Sequence, residues 1–214
     1  MDLRTALTNL GINPEAVPKG FVGLLEQSII EKISPDAAQW TKRKNNGVAL
    51  AYNIDTEFKQ SVGLILRNLY FGKDRAHLTI CYEKEEPTWA LLQNSLPSFY
   101  RSRKAVIVEG PKDALVLHTL GIPAAAYLGA SCSSKHLQVL AKYVEVVVWI
   151  PDNDPPSDQK AEREAKMHSY CNFLGLRLIQ YPLPDGTKDT GEFAADPIQA
   201  IRLENFIDSL VVNG

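Results

Sequence analysis

The chain has 214 residues, with 23 Lys and Arg against 25 Asp and Glu, and 45% of it is hydrophobic. That length can bury a real core as one large domain or two small ones. The net charge of -2 excludes a strongly basic nucleic-acid coat while leaving room for local basic patches.

No apolar run approaches a membrane span, and the first residues lack the charged-then-apolar pattern of a secretory signal. Cys81, Cys132 and Cys171 lie far apart, offer no CxxC pair and fit a reducing cytoplasm. The four histidines are scattered, which argues against a zinc site.

Residues 2–10 suit a short helix closed by Gly11, and residues 21–33 have spacing that suits a second one. Ser34-Pro35 opens a further helical turn. The basic stretch of residues 42–47 is expected to be a loop, either solvated or touching a phosphate backbone. Residues 48–54 and 61–67 then read as strands around a turn at Asp55-Thr56-Glu57, and residues 78–82 as another strand. Residues 89–96 are ambiguous between helix and strand. The charged residues 101–104 mark a subdomain boundary, dividing the chain into 1–100, 101–195 and a C-terminal helical piece at 196–214.

The second half alternates. Strands are expected at 105–108, 124–128, 144–150 and 176–181, with helices at 111–120, from Ser133 or Ser134 to about 142, and at 159–174. Pro111 opens the first of these helices, and Gly121 and Gly175 close the first and last. The tail, residues 197–211, reads as a helix with Ile198, Ile201, Phe206, Ile207 and Leu210 on its apolar face. Fully apolar strands alternating with helices imply right-handed crossovers in a parallel, doubly wound sheet.

Two of the apolar strands run into carboxylates: Val108 into Glu109-Gly110, and Ile150 into Pro151-Asp152-Asn153-Asp154. Ligands of an open parallel sheet bind beyond the carboxyl ends of its strands, so Glu109, Asp152 and Asp154 should meet on one rim. Crowded carboxylates repel unless protons or a cation neutralise them, and their hard oxygens favour Mg²⁺ or Mn²⁺. Asp185 and Asp189 follow a later strand and could add ligands. Gly110 permits a tight turn above the strand end, and Asp113 could brace that loop or the N-terminal amides of its helix. Such a site suits phosphoryl transfer. Taken singly, each Asp could equally be a helix cap or turn former.

The segments Val108-Glu109-Gly110-Pro111-Lys112-Asp113, Leu128-Gly129-Ala130 and Trp149-Ile150-Pro151-Asp152-Asn153-Asp154 resemble the Toprim domain shared by bacterial-type primases, topoisomerases and several nucleases. The resemblance implies a Toprim-type, Rossmann-like parallel sheet flanked by helices, preceded by a mixed α+β N-terminal subdomain. It makes Glu109 the family's glutamate, Asp152 and Asp154 its paired aspartates, and Mg²⁺ or Mn²⁺ the cofactor.

The stretch from Leu183 to Glu192 is similar to the acidic Leu-Pro-Asp-Gly-x-Asp segment of primases. Its spacing is about one residue longer and leaves open which of Asp185 and Asp189 reaches the metal. Residues 48–67 resemble the strand pair before Toprim in the primase core, with Arg67 at a basic position. The resemblance assigns Arg67, Lys73, Arg75, Lys84, Lys112 and Lys188 to nucleotide or DNA phosphates, and gives Gly129 a structural role beside Gly110 and Asp113.

The chain departs from the family in two places. Asp154 is followed by Pro155-Pro156-Ser157-Asp158 rather than by the family's Ala-Gly, and a Lys-Tyr-Leu-Asn nucleotide-binding stretch is not evident. No zinc-ribbon cysteines precede the core and no helicase domain follows it, so the resemblance implies a stripped primase core of the phage or plasmid kind. Such a core would act in the cytoplasm on single-stranded DNA and NTPs, with a replicative helicase or template-recognition protein as partner. A Toprim metal-dependent nuclease, cleaving RNA or DNA, would use the same acids. A non-catalytic replication module that kept the fold is the third reading.

Overall fold

The computed structural model describes residues 2–45, 48–59, 61–67, 77–81, 87–128, 131–155, 157–194 and 196–212, with backbone alone at 40, 42–45, 77 and 81. Lys73, Arg75, Lys84 and Gly129, four of the expected site residues, lie outside the described residues.

The N-terminal part opens with α1 (Leu3–Asn9), capped by the Asp2 carboxylate, which accepts from the Thr5 amide at 2.7 Å. Residues 21–33 correct the sequence expectation. They split into a strand, β1 (Val22–Glu26), and a helix, α2 (Gln27–Ile33). The run Val22-Gly23-Leu24-Leu25 satisfies either period, and antiparallel pairing along β2 (Val48–Ile54) decides for the strand.

The basic stretch also differs. Residues 42–45 continue α3 (Pro35–Asn45) rather than forming a loop, and residues 46 and 47 lie outside the described residues. With β3 (Gly63–Arg67) and β4 (His77–Cys81), the first sheet has the order β1-β2-β3-β4, antiparallel throughout. Asp55 is no hairpin tip. Its backbone forms a two-way bridge with Trp89, at 2.8 Å each way, while Ala90 bridges Ala126 at 2.9 Å each way. These two residues stitch the first sheet to the second, and α4 (Leu92–Ser102) then leads into the second sheet.

The second half follows the expected alternation: β5 (Lys104–Val108), α5 (Pro111–Thr119), β6 (Ala125–Ala126), α6 (Ser134–Leu140), β7 (Val146–Ile150), α7 (Asp158–Phe173) and β8 (Arg177–Gln180). Ser133 caps α6, with His136 completing a capping box. All pairings are parallel in the order β6-β5-β7-β8. Two helices follow, the short α8 (Thr190–Ala194), which the sequence pattern did not reveal, and α9 (Pro197–Ser209), which it did.

The face of α9 is also corrected. Ala200 and Leu203 are buried, Phe206 and Ile207 pack beside them, and Ile198 and Ile201 are 61% and 56% exposed.

The pleat of β5 and β7 divides the core. Val106, Val108, Val146, Val148 and Ile150 face a cluster that contains Leu7, Leu50, Tyr52 and Ile54 from the first half. Ala105, Ile107, Val147 and Trp149 face the opposite cluster, with Phe99, Leu137, Leu140 and Met167. The α/β architecture thus places one continuous core between the parallel sheet and the antiparallel one.

Candidate active site

The site forms where the sheet changes direction. The chain leaves β5 to one side for β6, and then crosses to the other side for β7. Val108 and Ile150 are register partners, so the residues after them, Glu109 and the Pro151-Asp152 loop, leave the sheet side by side. A crevice at such a switch point is the usual ligand position of an open parallel sheet.

Glu109, Asp113, Asp152 and Asp189 line one cavity of about 410 Å³. Burial pushes Glu109 up to about 7, with the charges of Asp152 and Asp154 adding to the shift. Burial also raises Asp113 to about 7, helped by Asp189 and Asp152. Asp152 rises to about 6, again first through burial and then through Asp189 and Asp154, while Lys188 and Lys112 act in the opposite direction. Each of these carboxylates carries a proton more readily than an exposed one would. Asp152 is the common neighbour of the set.

The loops that hold these acids are locked to one another. Asp113 braces a helix start, as expected, but the start of α8 rather than of its own helix, because its Oδ1 accepts from the Gly191 amide at 2.9 Å. Asp189 accepts from the Glu192 amide at 2.9 Å and lies 3.8 Å from Lys112 Nζ. Two glycines make room for this. A Cβ on Gly110 would lie 2.7 Å from Asp113 Oδ2, and a Cβ on Gly191 would lie 2.7 Å from Lys112 Nζ.

Three of the other expected residues, Asp154, Asp185 and Lys188, lie further out. Asp154 is exposed and reaches a second, small cavity of about 20 Å³ that it shares with Glu109, Asp152, Lys160 and Arg163. Asp185 and Lys188 are exposed, and neither lines the larger cavity. Arg67 and Lys112 do line it.

Apart from Arg67, the opposite wall of the larger cavity went unrecognised in the sequence. Tyr52, Ile65 and Thr79 are register partners across β2, β3 and β4, and Arg67 stands two residues along from Ile65 on the same face. Period-two alternation in residues 48–67 carried this signal, but only the sheet register shows that the row faces the acids. Burial lifts the Tyr52 hydroxyl to about 12, while the Arg67 charge beside it acts the other way.

Among the described residues, no three His, Cys, Asp or Glu side chains form a ready-made cage for a metal ion. The donor chemistry still fits a hard divalent cation. Mg²⁺ is commonly held by one or two carboxylates together with substrate phosphates, so a full protein cage is not required. Burial is the main cause that raises Glu109 and Asp152, and the added repulsion from neighbouring carboxylates is what a bound cation would relieve.

Residues 106–194 match the family model described as Toprim-like. No curated protein matches the chain. Among solved structures, the Aquifex aeolicus primase, comprising zinc-binding and RNA polymerase domains, superposes with a TM-score of 0.74 at 17% identity. That match covers 96% of this chain and 55% of that one, so the chain spans just over half the length of the solved Aquifex chain. A DnaG primase catalytic domain bound to single-stranded DNA gives 0.71 at 17% identity, covering 96% and 70%. The RNA polymerase domain of Mycobacterium tuberculosis primase DnaG gives 0.71 at 16%, covering 96% and 75%. The chain therefore has the fold of the primase catalytic core, and the stretch that matches the Toprim-like model, residues 106–194, holds the parallel sheet of that fold.

Proposed function

We propose that the chain is a primase-like nucleotidyltransferase that makes short RNA primers on single-stranded DNA from NTPs. The observation carrying this reading is the single cavity in which Glu109, Asp113, Asp152 and Asp189 face Arg67 and Tyr52 of the antiparallel sheet. A phosphodiester-forming site needs both walls: anions for cations on one side, and a cation with polar groups for phosphates on the other. The primase relatives add weight, since one of them was solved bound to single-stranded DNA.

Toprim-like domains bind divalent metal ions. In this chain Glu109 and Asp152 would hold the ion, with Asp154, Asp185 and Asp189 as the further carboxylates at the rim. Mg²⁺ or Mn²⁺ there would neutralise charge on the phosphate oxygens. Lys112 balances Asp189 and directs a positive charge at the same space. Arg67 offers a fixed guanidinium to a phosphate from across the cavity. Lys188, which is exposed, would contact the template backbone, the role also proposed for Lys73, Arg75 and Lys84. A helicase or template-recognition protein would supply the template in the cytoplasm of a bacterial or phage-infected cell.

Incubation with single-stranded DNA, four NTPs and Mg²⁺ is expected to yield short RNA products, and Asp152→Ala to lower the yield by at least about a hundredfold. Wild-type protein that makes no primer would overturn the reading. Loss of labelled RNA or DNA in Mn²⁺, without synthesis, would assign the acids to a nuclease.

A further inference from the structure

The chain Asp152-Asn153-Asp154 is followed by Pro155-Pro156. In a turn leading into a helix, carbonyls are normally satisfied by amides three or four residues on. For Asp152 those positions are both prolines, which have no N–H to give. The structure supplies a substitute from the next helix. Lys160 Nζ donates to the Asp154 carbonyl at 2.9 Å and to the Asp152 carbonyl at 3.2 Å. On its other side the loop is held by the Asn153 amide, which donates to the Lys188 carbonyl at 2.9 Å. That second tie joins the Asp152 loop to the segment that carries Asp189.

Lys160 is itself fixed. Ser157 caps α7, and its hydroxyl accepts from the Lys160 amide at 3.1 Å, setting the first turn of the helix. One turn on, Arg163 lies on the same face and reaches the small cavity beside Glu109. The start of α7 thus brings positive charge to the rear of the acid rim.

We propose that Lys160 is a positioning residue. It clamps the loop backbone so that Asp152 and Asp154 present their carboxylates to a divalent cation in one arrangement, replacing the turn that the two prolines deny. The proposal rests on reading the rim as a metal site, and it concerns groups that touch the ligands rather than the ligands themselves. Such supporting contacts commonly matter about 10- to 100-fold for metal affinity.

The test is Mn²⁺ titration of the whole chain by calorimetry, paired with deuterium exchange of the Asn153 amide in metal-free protein. Lys160→Met keeps the aliphatic stem and removes the donors. It is expected to weaken Mn²⁺ binding about tenfold or more and to speed exchange at Asn153. Lys160→Arg, which retains donors for two carbonyls, should restore most of both. Lys166→Met, which removes only an exposed ion pair with Glu162 on the same helix, should change neither. A folded Lys160→Met protein with unchanged Mn²⁺ affinity, or with unchanged Asn153 exchange, overturns the proposal. Wild-type protein that binds no Mn²⁺ would instead overturn the metal reading of the rim, and exchange alone would then decide whether the clamp exists.

Discussion

The acids of the rim are legible at the residue scale through what burial does to them. Glu109 and Asp113 are lifted to about 7 and Asp152 to about 6, well above the values near 4 that they take in the unfolded chain. Between about pH 4 and 7 the native state therefore holds protons that the unfolded state has already released. Stability should be greatest at the acid end of that window, fall as the pH rises through it, and level off above it. A divalent cation held as proposed would bind the ionised rim and not the unfolded chain, so it should return part of the loss at high pH. Melting curves at pH 5.5 and pH 8, with and without Mg²⁺, check both signs. The melting temperature should be lower at pH 8, and millimolar Mg²⁺ should raise it more there than at pH 5.5. An equal rise at both pH values would separate metal binding from these carboxylates.

At the scale of the elements, the second half was legible because its strands are uniformly apolar and its helices carry explicit stop signals. Pro111, Gly121, Ser133 and Gly175 all mark real ends. The first half was less so. Residues 22–26 fit a helix or a strand on apolar spacing alone, and a partner distant in sequence, β2, settles the matter. Glu109, Asp152 and Asp189 could be picked out by their positions after strands, whereas Asp113, one turn into α5, reads only as a brace. The row Tyr52, Ile65 and Thr79 could not, since it exists only as sheet register.

The tail shows the same limit. Ile198 and Ile201 look like a buried stripe, yet α9 turns Ala200 and Leu203 inward. The small residue at 200 lets the helix approach closely, while Leu203 fills the core at zero exposure. Leu203→Ala should therefore cost about 2–5 kcal/mol in denaturant unfolding, and Ile201→Ala should stay within about 0.5 kcal/mol. Equal losses would mean that the helix sits in another rotation.

For the whole molecule, the question is whether the two sheets behave as one unit. Several connections cross between them. One apolar cluster joins Leu7, Leu50, Tyr52 and Ile54 to Val106, Val108, Leu115 and Leu203. The Asp55–Trp89 and Ala90–Ala126 bridges extend hydrogen bonding from one sheet to the other. The Asp55 carboxylate accepts from the Gln93 amide at 3.0 Å, and Glu57 takes both Lys142 Nζ at 2.6 Å and the Tyr143 hydroxyl at 2.7 Å.

An isolated four-stranded antiparallel sheet would have to expose the apolar face that Leu50, Tyr52 and Ile54 now bury. Separating the halves would strip both sides of that cluster at once, so neither half has a low-energy route to open alone. Unfolding should be a single transition, with tryptophan fluorescence, which reads Trp40 in α3, Trp89 at the seam and Trp149 in the parallel sheet, superimposing on far-ultraviolet circular dichroism. Glu57→Gln, which weakens ties across the seam, should lower the common midpoint without splitting it. An early fluorescence change that leaves the dichroism intact would show the sheets parting before they unfold, and the cavity between them would then be a hinge rather than a rigid cleft.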